Sequence, residues 1–210
     1  MKKIIAIDGD GVLLDYNDAY ARAWQSAFGE LPVLVNPNAY WPRDRWSVKT
    51  LTGESLETFR AAFDEDFWRT IPAIPGALEA CHILNRLGYE LVCVTALDTK
   101  FAAARLHNLQ SLGFPIARVI TTEHSAIGRS PKAEILNNLM PMAFVDDFAP
   151  YLVGMADSIH LALVMRDADG SPNIGELVQS PDSRHPDLLD FAKWWADSLL
   201  HTRATDGGAQ

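Results

Sequence analysis

The chain has 210 residues, of which 48% are hydrophobic and 21% charged, enough to bury the core of one domain or of one domain carrying an insertion. Eighteen Lys and Arg stand against 27 Asp and Glu, a formal charge of −9, which argues against nucleic acid or an anionic membrane as the main partner but leaves room for a small anion held locally. No apolar run approaches a membrane span and Ile4–Ile7 is too short for a secretory segment, so the expectation is a cytoplasmic monomer or homodimer with Cys81 and Cys93 reduced in its core.

Ile4-Ile5-Ala6-Ile7 is a continuously apolar run, the pattern of a strand buried on both faces, and it stops at the acidic, glycine-rich loop Asp8-Gly9-Asp10-Gly11. Residues 17–28 read as a helix carrying Tyr20, Ala23, Trp24 and Ala27 on one face and ending at Gly29. Residues 30–53, with Pro32, Pro37 and Pro42, read as a long loop. A second helix follows, with Leu56, Phe59, Phe63 and Phe67 on its stripe.

From Pro75 the texture turns to regular alternation. A helix with Leu78, Cys81, Leu84 and Leu87 on one face ends at Gly88, and the strand Glu90 to Thr95 follows. A helix over about 100–112, a strand Arg118 to Thr121, a helix opening near Pro131 and a strand Met142 to Val145 come next. A helix around 148–156, a strand around 159–164 and an amphipathic helix over about 187–200 complete the series, leaving 201–210 as a frayed tail. Repeated strand–helix units predict an α/β fold: a doubly wound parallel sheet with helices on both faces. The catalytic core is then 1–15 and 75–200, interrupted after its first strand by a helical cap at 16–74.

In such a sheet the loops at the carboxyl ends of the strands form the ligand crevice. Asp8 and Asp10 follow the first strand, Thr95 ends the second, and Asp146-Asp147 follow Ala143 to Val145, with Lys132 opening the helix before that strand. Carboxylates converging on one point repel one another unless a cation sits among them, and hard oxygen ligands suit magnesium. A lysine and a hydroxyl nearby complete a phosphate cradle. Each piece has a plain structural alternative: turn carboxylates, a strand-end threonine, a solvated first-turn lysine, an acidic helix cap. Their conjunction at one sheet edge favours the functional reading.

This ordered set resembles the haloacid-dehalogenase-like (HAD) phosphohydrolase superfamily. The resemblance implies that Asp8 is a nucleophile forming an aspartyl-phosphate, and that Asp10 protonates the leaving oxygen and then activates water. It implies that Thr95, Ala96, Lys132 and Gly9 bind the phosphate, and that Mg2+ is held by Asp8, the Asp10 carbonyl and the Asp146-Asp147 pair, with Asp146 favoured over Asp147 as the direct ligand. Gly9 replaces a bulkier residue usual in the family, and Lys132 follows Pro131 where many relatives place a proline after the lysine. Dehalogenase members lack an acid at the place of Asp10, so its presence points to phosphoryl transfer.

The segment 16–74 is rich in aromatic residues. Those on helical stripes read as the core of the cap, whereas Tyr40, Trp41, Arg43, Arg45 and Trp46 lie off any stripe and are candidates for substrate contact. His82, His107, His124, His160, His185 and His201 show no metal-ligand spacing. The function expected is a phosphatase of a small phosphorylated metabolite, a nucleoside or deoxynucleoside monophosphate foremost. The alternatives are a phosphosugar phosphatase or mutase of the same superfamily, or, in another class, a receiver-like phosphoacceptor module.

Overall fold

The structure is a computed structural model that describes residues 2–122 and 130–206; His124 lies outside the described residues. Six strands, β1 (Ile4–Ile7), β2 (Glu90–Ala96), β3 (Ile116–Thr122), β4 (Ala143–Asp146), β5 (His160–Val164) and β6 (Ser183–His185), form one parallel sheet in the order β3-β2-β1-β4-β5-β6. Successive strands run outward from β1 in one direction and from β4 in the other, so the chain reverses its winding between these two neighbours. That reversal opens a crevice beyond their carboxyl ends. Register does the rest: Ile7 lies opposite both Cys93 and Val145, and the Asp8 amide donates to the Val145 carbonyl at 2.9 Å. Asp8 therefore emerges level with Asp146 at the end of β4 and with Val94, two residues before the end of β2.

Both faces of the central strands are buried, which is why they read as unbroken apolar runs. On one side Ile5, Ile7, Leu91 and Cys93 pack with α5 (Ala77–Arg86), α6 (Ala102–Ser111) and α9 (Leu188–Asp206) through Leu84, Leu109 and Phe191. On the other, Ala6, Val92, Val94 and Phe144 pack with Leu136 of α7 (Ala133–Leu139) and with Leu152. Cys81 and Cys93 are both buried and free, and burial pushes the Cys93 thiol up to about 12.

Residues between β1 and α5 add α1 (Tyr16–Phe28), α2 (Pro42–Arg45), α3 (Gly53–Ala61) and α4 (Glu65–Arg69). The chain leaves and rejoins the sheet side by side: Leu14 and Ala73 form an antiparallel bridge, flanked by Asp15 N to Pro72 O at 2.8 Å and Ile74 N to Leu13 O at 3.0 Å. Ring contacts hold the helices, including Tyr20–Phe59 at 5.1 Å, Phe59–Phe63 at 5.0 Å and Phe63–Phe67 at 4.7 Å between centroids.

Several elements differ from the sequence expectation, each for a local reason. The single helix expected through Phe67 is two, because the Asp64 side chain accepts from the Phe67 amide and caps a new helix, α4. The stretch 30–53 is not plain loop: an antiparallel bridge joins Leu34 to Trp46 around α2, and Ala39 bridges to Asp169 of the core. The helix expected at 148–156 is a single 3-10 turn, Ala149–Leu152, closed off by Gly154 at φ 84°. Two short elements follow β5 that no periodicity announced, α8 (Glu176–Gln179) and β6. The last helix runs on to Asp206, beyond the expected start of fraying, and 207–210 lie outside the described residues.

Phe191 is fully buried between the sheet and its own helix. Phe191→Ala is expected to lower unfolding free energy by about 3–5 kcal/mol in urea denaturation, through lost burial plus the cavity left behind.

Candidate active site

Three carboxylates from the ends of β1 and β4 meet at the crevice. Asp8, Asp146 and Asp147 are 6%, 0% and 3% exposed, and ligand oxygens of all three lie within 4.8 Å of one another. Like charges this close and this dry cannot coexist without a counter-charge. Lys132 supplies it. The residue at the N-cap of α7 sends a fully buried side chain under the crevice, where Nζ donates to Asp8 Oδ1 at 2.5 Å and to Asp146 Oδ2 at 2.7 Å. Burial alone would lower the lysine pKa; Asp146 and Asp8 outweigh it and the net shift is upward. Burial raises the Asp8 pKa well above the usual carboxylate range, with Lys132 opposing and Asp146 and Asp147 reinforcing.

Each of the two remaining acids has its own arginine. Arg105, from α6, donates Nη1 to Asp10 Oδ1 at 2.7 Å and Nη2 to Asp10 Oδ2 at 2.9 Å. Arg166, just past the end of β5, donates Nε to Asp147 Oδ2 at 2.6 Å and Nη1 to Asp167 Oδ2 at 2.7 Å. Tyr40 also donates to Asp147 Oδ2, at 3.1 Å, and its ring lies 4.3 Å from the Arg166 guanidinium carbon. Asp146 is occupied on both oxygens, by Lys132 and by the Phe148 amide at 2.9 Å. Asp147 keeps Oδ1 without a hydrogen bond among the described residues.

The two glycines between these acids act differently. Gly11 has φ 90°, and a Cβ there would collide with Asp147 Oδ2 and Arg166 Nε, so the turn and the close approach both exclude a side chain. Gly9 is not in the left-handed region; its missing side chain leaves space that the Thr95 hydroxyl and Arg105 Nη1 fill, at 3.0 and 3.3 Å from an ideal Cβ. Gly11 thus serves the turn, and Gly9 makes room.

A cavity of about 520 Å³ opens above the carboxylates. Asp8, Asp10, Thr95, Ala96, Asp146 and Asp147 lie along its wall together with Arg166. Tyr16, Phe63 and Trp68 line it from the segment after β1, and Trp41, Phe148 and Tyr151 are also in the lining. Trp41 and Phe148 meet edge to face at 6.3 Å and Phe148 meets Tyr151 at 4.7 Å.

Comparison with known proteins fits this geometry. No protein-family model matches the chain. In the solved structure of a HAD family hydrolase from Deinococcus radiodurans with bound phosphate and sodium, 97% of that chain superposes on 95% of this one, with TM-score 0.62 and 15% identity. A predicted phosphoglycolate phosphatase from Haemophilus somnus matches with TM-score 0.60 and 18% identity, over 97% of that chain and 91% of this one. L-2-haloacid dehalogenase from Xanthobacter autotrophicus matches with TM-score 0.56 and 14% identity, over 98% and 92%. The chain has the haloacid-dehalogenase-like hydrolase fold. In sequence, 97 residues are 29% identical to a provisionally named 5′(3′)-deoxyribonucleotidase of Bordetella bronchiseptica, and a Bordetella pertussis protein of the same name gives the same figures. The match covers 45% of this chain and spans about half the length of these curated relatives.

On this HAD-like core, Asp8, Asp10, Thr95, Ala96, Lys132, Asp146 and Asp147 come together as the sequence motifs anticipate, and Tyr40 and Trp41 join them at the cavity. Arg43, Arg45 and Trp46 do not: the donors of Arg45 and Trp46 are engaged elsewhere, and Arg43 points to solvent. Arg43 is exposed beside Asp44, Arg45 reaches the Ala39 carbonyl and Asp167 beside a smaller cavity of about 200 Å³, and the Trp46 indole donates to the Asn17 carbonyl at 2.8 Å. Sequence reasoning passed over Arg105 and Arg166. Both left a signal: Arg105 shares the buried face of α6 with Ala104 and Leu109, and Arg166 lies two residues past a strand end on the same sheet edge as the acids.

Lys132→Met leaves Asp8 and Asp146 facing each other in a dry site. Urea unfolding without metal is expected to show a loss of about 3–5 kcal/mol, the usual cost of breaking a buried ion pair, and millimolar magnesium should restore part of it.

Proposed function

We propose that the chain is a magnesium-dependent phosphatase of a small phosphorylated metabolite, acting through an aspartyl-phosphate on Asp8, with nucleoside or deoxynucleoside monophosphates as its substrate class. The observation that carries this is the convergence of Asp8, Asp146, Asp147 and Lys132 at the floor of an aromatic-walled cavity. The donor set fits the ion. Buried carboxylate oxygens are hard ligands, and burial pushes the Asp8 carboxyl up against the opposing pull of a lysine that it shares with Asp146. Asp8, the Asp10 carbonyl and the Asp146-Asp147 pair would hold magnesium; Asp147, with a free Oδ1, is the better direct ligand, and Asp146 the acid that anchors Lys132. When bound, the ion offsets the negative charge of phosphate and polarises its oxygens.

In the first step an Asp8 oxygen bonds to phosphorus as the bond to the leaving oxygen breaks, and Asp10 gives that oxygen its proton. In the second step water attacks the same phosphorus, Asp10 takes its proton, and phosphate leaves with Asp8 regenerated. Thr95, the Ala96 backbone and Lys132 hold the phosphoryl oxygens. Residues 16–74 act as a cap whose Phe63 and Trp68, with Trp41 and Phe148, receive a flat leaving group. The name of the Bordetella relatives supports the nucleotide reading.

Purified protein is expected to release phosphate from 4-nitrophenyl phosphate with magnesium and to stop when EDTA removes it. Asp8→Asn should lower turnover by at least roughly 1,000-fold, the scale of removing a nucleophile; undiminished activity would sink the mechanism. In a panel of phosphorylated metabolites, nucleoside monophosphates should rank first. Trp41→Ala should raise their KM by about 10-fold, the scale of one lost base–aromatic stack, while sparing non-aromatic phosphates.

A further inference from the structure

We propose that Arg105 is the positioning residue for Asp10, and that glycine at position 9 is what admits it; the inference rests on the phosphatase reading above. Arg105 is an expensive residue to keep where it is. Its side chain is fully buried, and Nε has no hydrogen-bond partner. A desolvated arginine with an unsatisfied donor is a poor source of stability. What the position achieves is geometric. Both guanidinium nitrogens grip both Asp10 oxygens, at 2.7 and 2.9 Å, which fixes the plane of the carboxylate as a point charge could not.

The grip leaves Asp10 open to the substrate. Asp10 keeps 24% of its side-chain surface and lines the cavity, while Arg105 has none. Each carboxylate oxygen retains a second lone pair for the proton it carries or takes. The guanidinium is itself held, with its carbon 5.2 Å from the Trp68 ring and Nη1 in the space above Gly9 beside the Thr95 hydroxyl. A side chain at position 9 would have to share that space, with an added Cβ already 3.3 Å from Nη1 and 3.0 Å from Thr95 Oγ1. Gly9 and Arg105 are therefore one device built from two distant parts of the chain. Misplacing a proton-transfer group by about an ångström can cost roughly 100-fold in rate.

The test separates proton donation from everything else. Nitrophenolate departs without a proton, whereas an alkoxide needs one, so the proton held by Asp10 governs only the second. We would measure kcat/KM, which reports on the steps up to formation of the aspartyl-phosphate, for phenethyl phosphate and 4-nitrophenyl phosphate with wild type, Arg105→Lys, Arg105→Met and Gly9→Ala. The ratio of the two values does not depend on how much of a preparation is folded. The expected result is that the alkyl-to-aryl ratio falls by roughly 100-fold in Arg105→Met, by less in Arg105→Lys, and in the same direction in Gly9→Ala. Gly9→Ala keeps the test alive should the Arg105 variants not fold, because its added methyl demands only a few tenths of an ångström. An unchanged ratio in the folded variants, with wild type active, overturns the role of Arg105 and leaves the phosphatase reading standing. No magnesium-dependent release from either ester by wild type overturns both.

Discussion

The site depends on one buried contact, the Lys132 ammonium lodged between Asp8 and Asp146. Without it the ends of β1 and β4 would present acids to each other in a dry crevice, and folding would have to protonate or separate them. Around that contact the other acids are arranged by the same rule. Asp10 has Arg105, and Asp147 has Arg166, which also reaches Asp167, so every acid at this edge faces a cation.

The three cations come from different places. Lys132 opens α7, Arg105 lies within α6, and Arg166 follows β5. Each is therefore delivered by a strand of the same sheet or a helix packed against it, and the sheet's register decides whether they meet. That is why the core must be dense on both faces: a slip of one residue in β1 would take Ile7 off Val145 and Cys93, turn Asp8 to the other face and leave Lys132 with half its partners.

Much of this was legible in the sequence. The strands of the centre are apolar on both faces, so their runs stand out, and the acids that follow them are conspicuous because they end such runs abruptly. What stayed hidden has physical causes. β6 is three residues of Ser183, Arg184 and His185, with no apolar period to mark it, and its strand character comes from pairing with β5. The break between α3 and α4 rests on one Asp64 side chain whose capping outweighs a continuous aromatic stripe. The sequence favours Asp146 over Asp147 as a direct ligand, and it could not show that both Asp146 oxygens already have partners, Lys132 and the Phe148 amide. Arg105 was invisible as a partner of Asp10 because the contact spans 95 residues of sequence.

The bridge between Leu14 and Ala73 has a further consequence. Because the chain departs and returns at neighbouring positions, everything between them is a closed excursion whose ends are already tied by the core. Its length and composition can drift without altering the spacing of β1, β2 and β4. The excursion could then be exchanged whole without moving the acids at the sheet edge. Such exchange is constrained where the excursion touches the core: Ala39 meets Asp169, Tyr40 meets Asp147, Trp68 lies over Arg105 and Asn108 holds the Arg69 and Ile71 carbonyls. A replacement that omits the Tyr40 loop would have to find another hydroxyl for the Asp147 carboxylate.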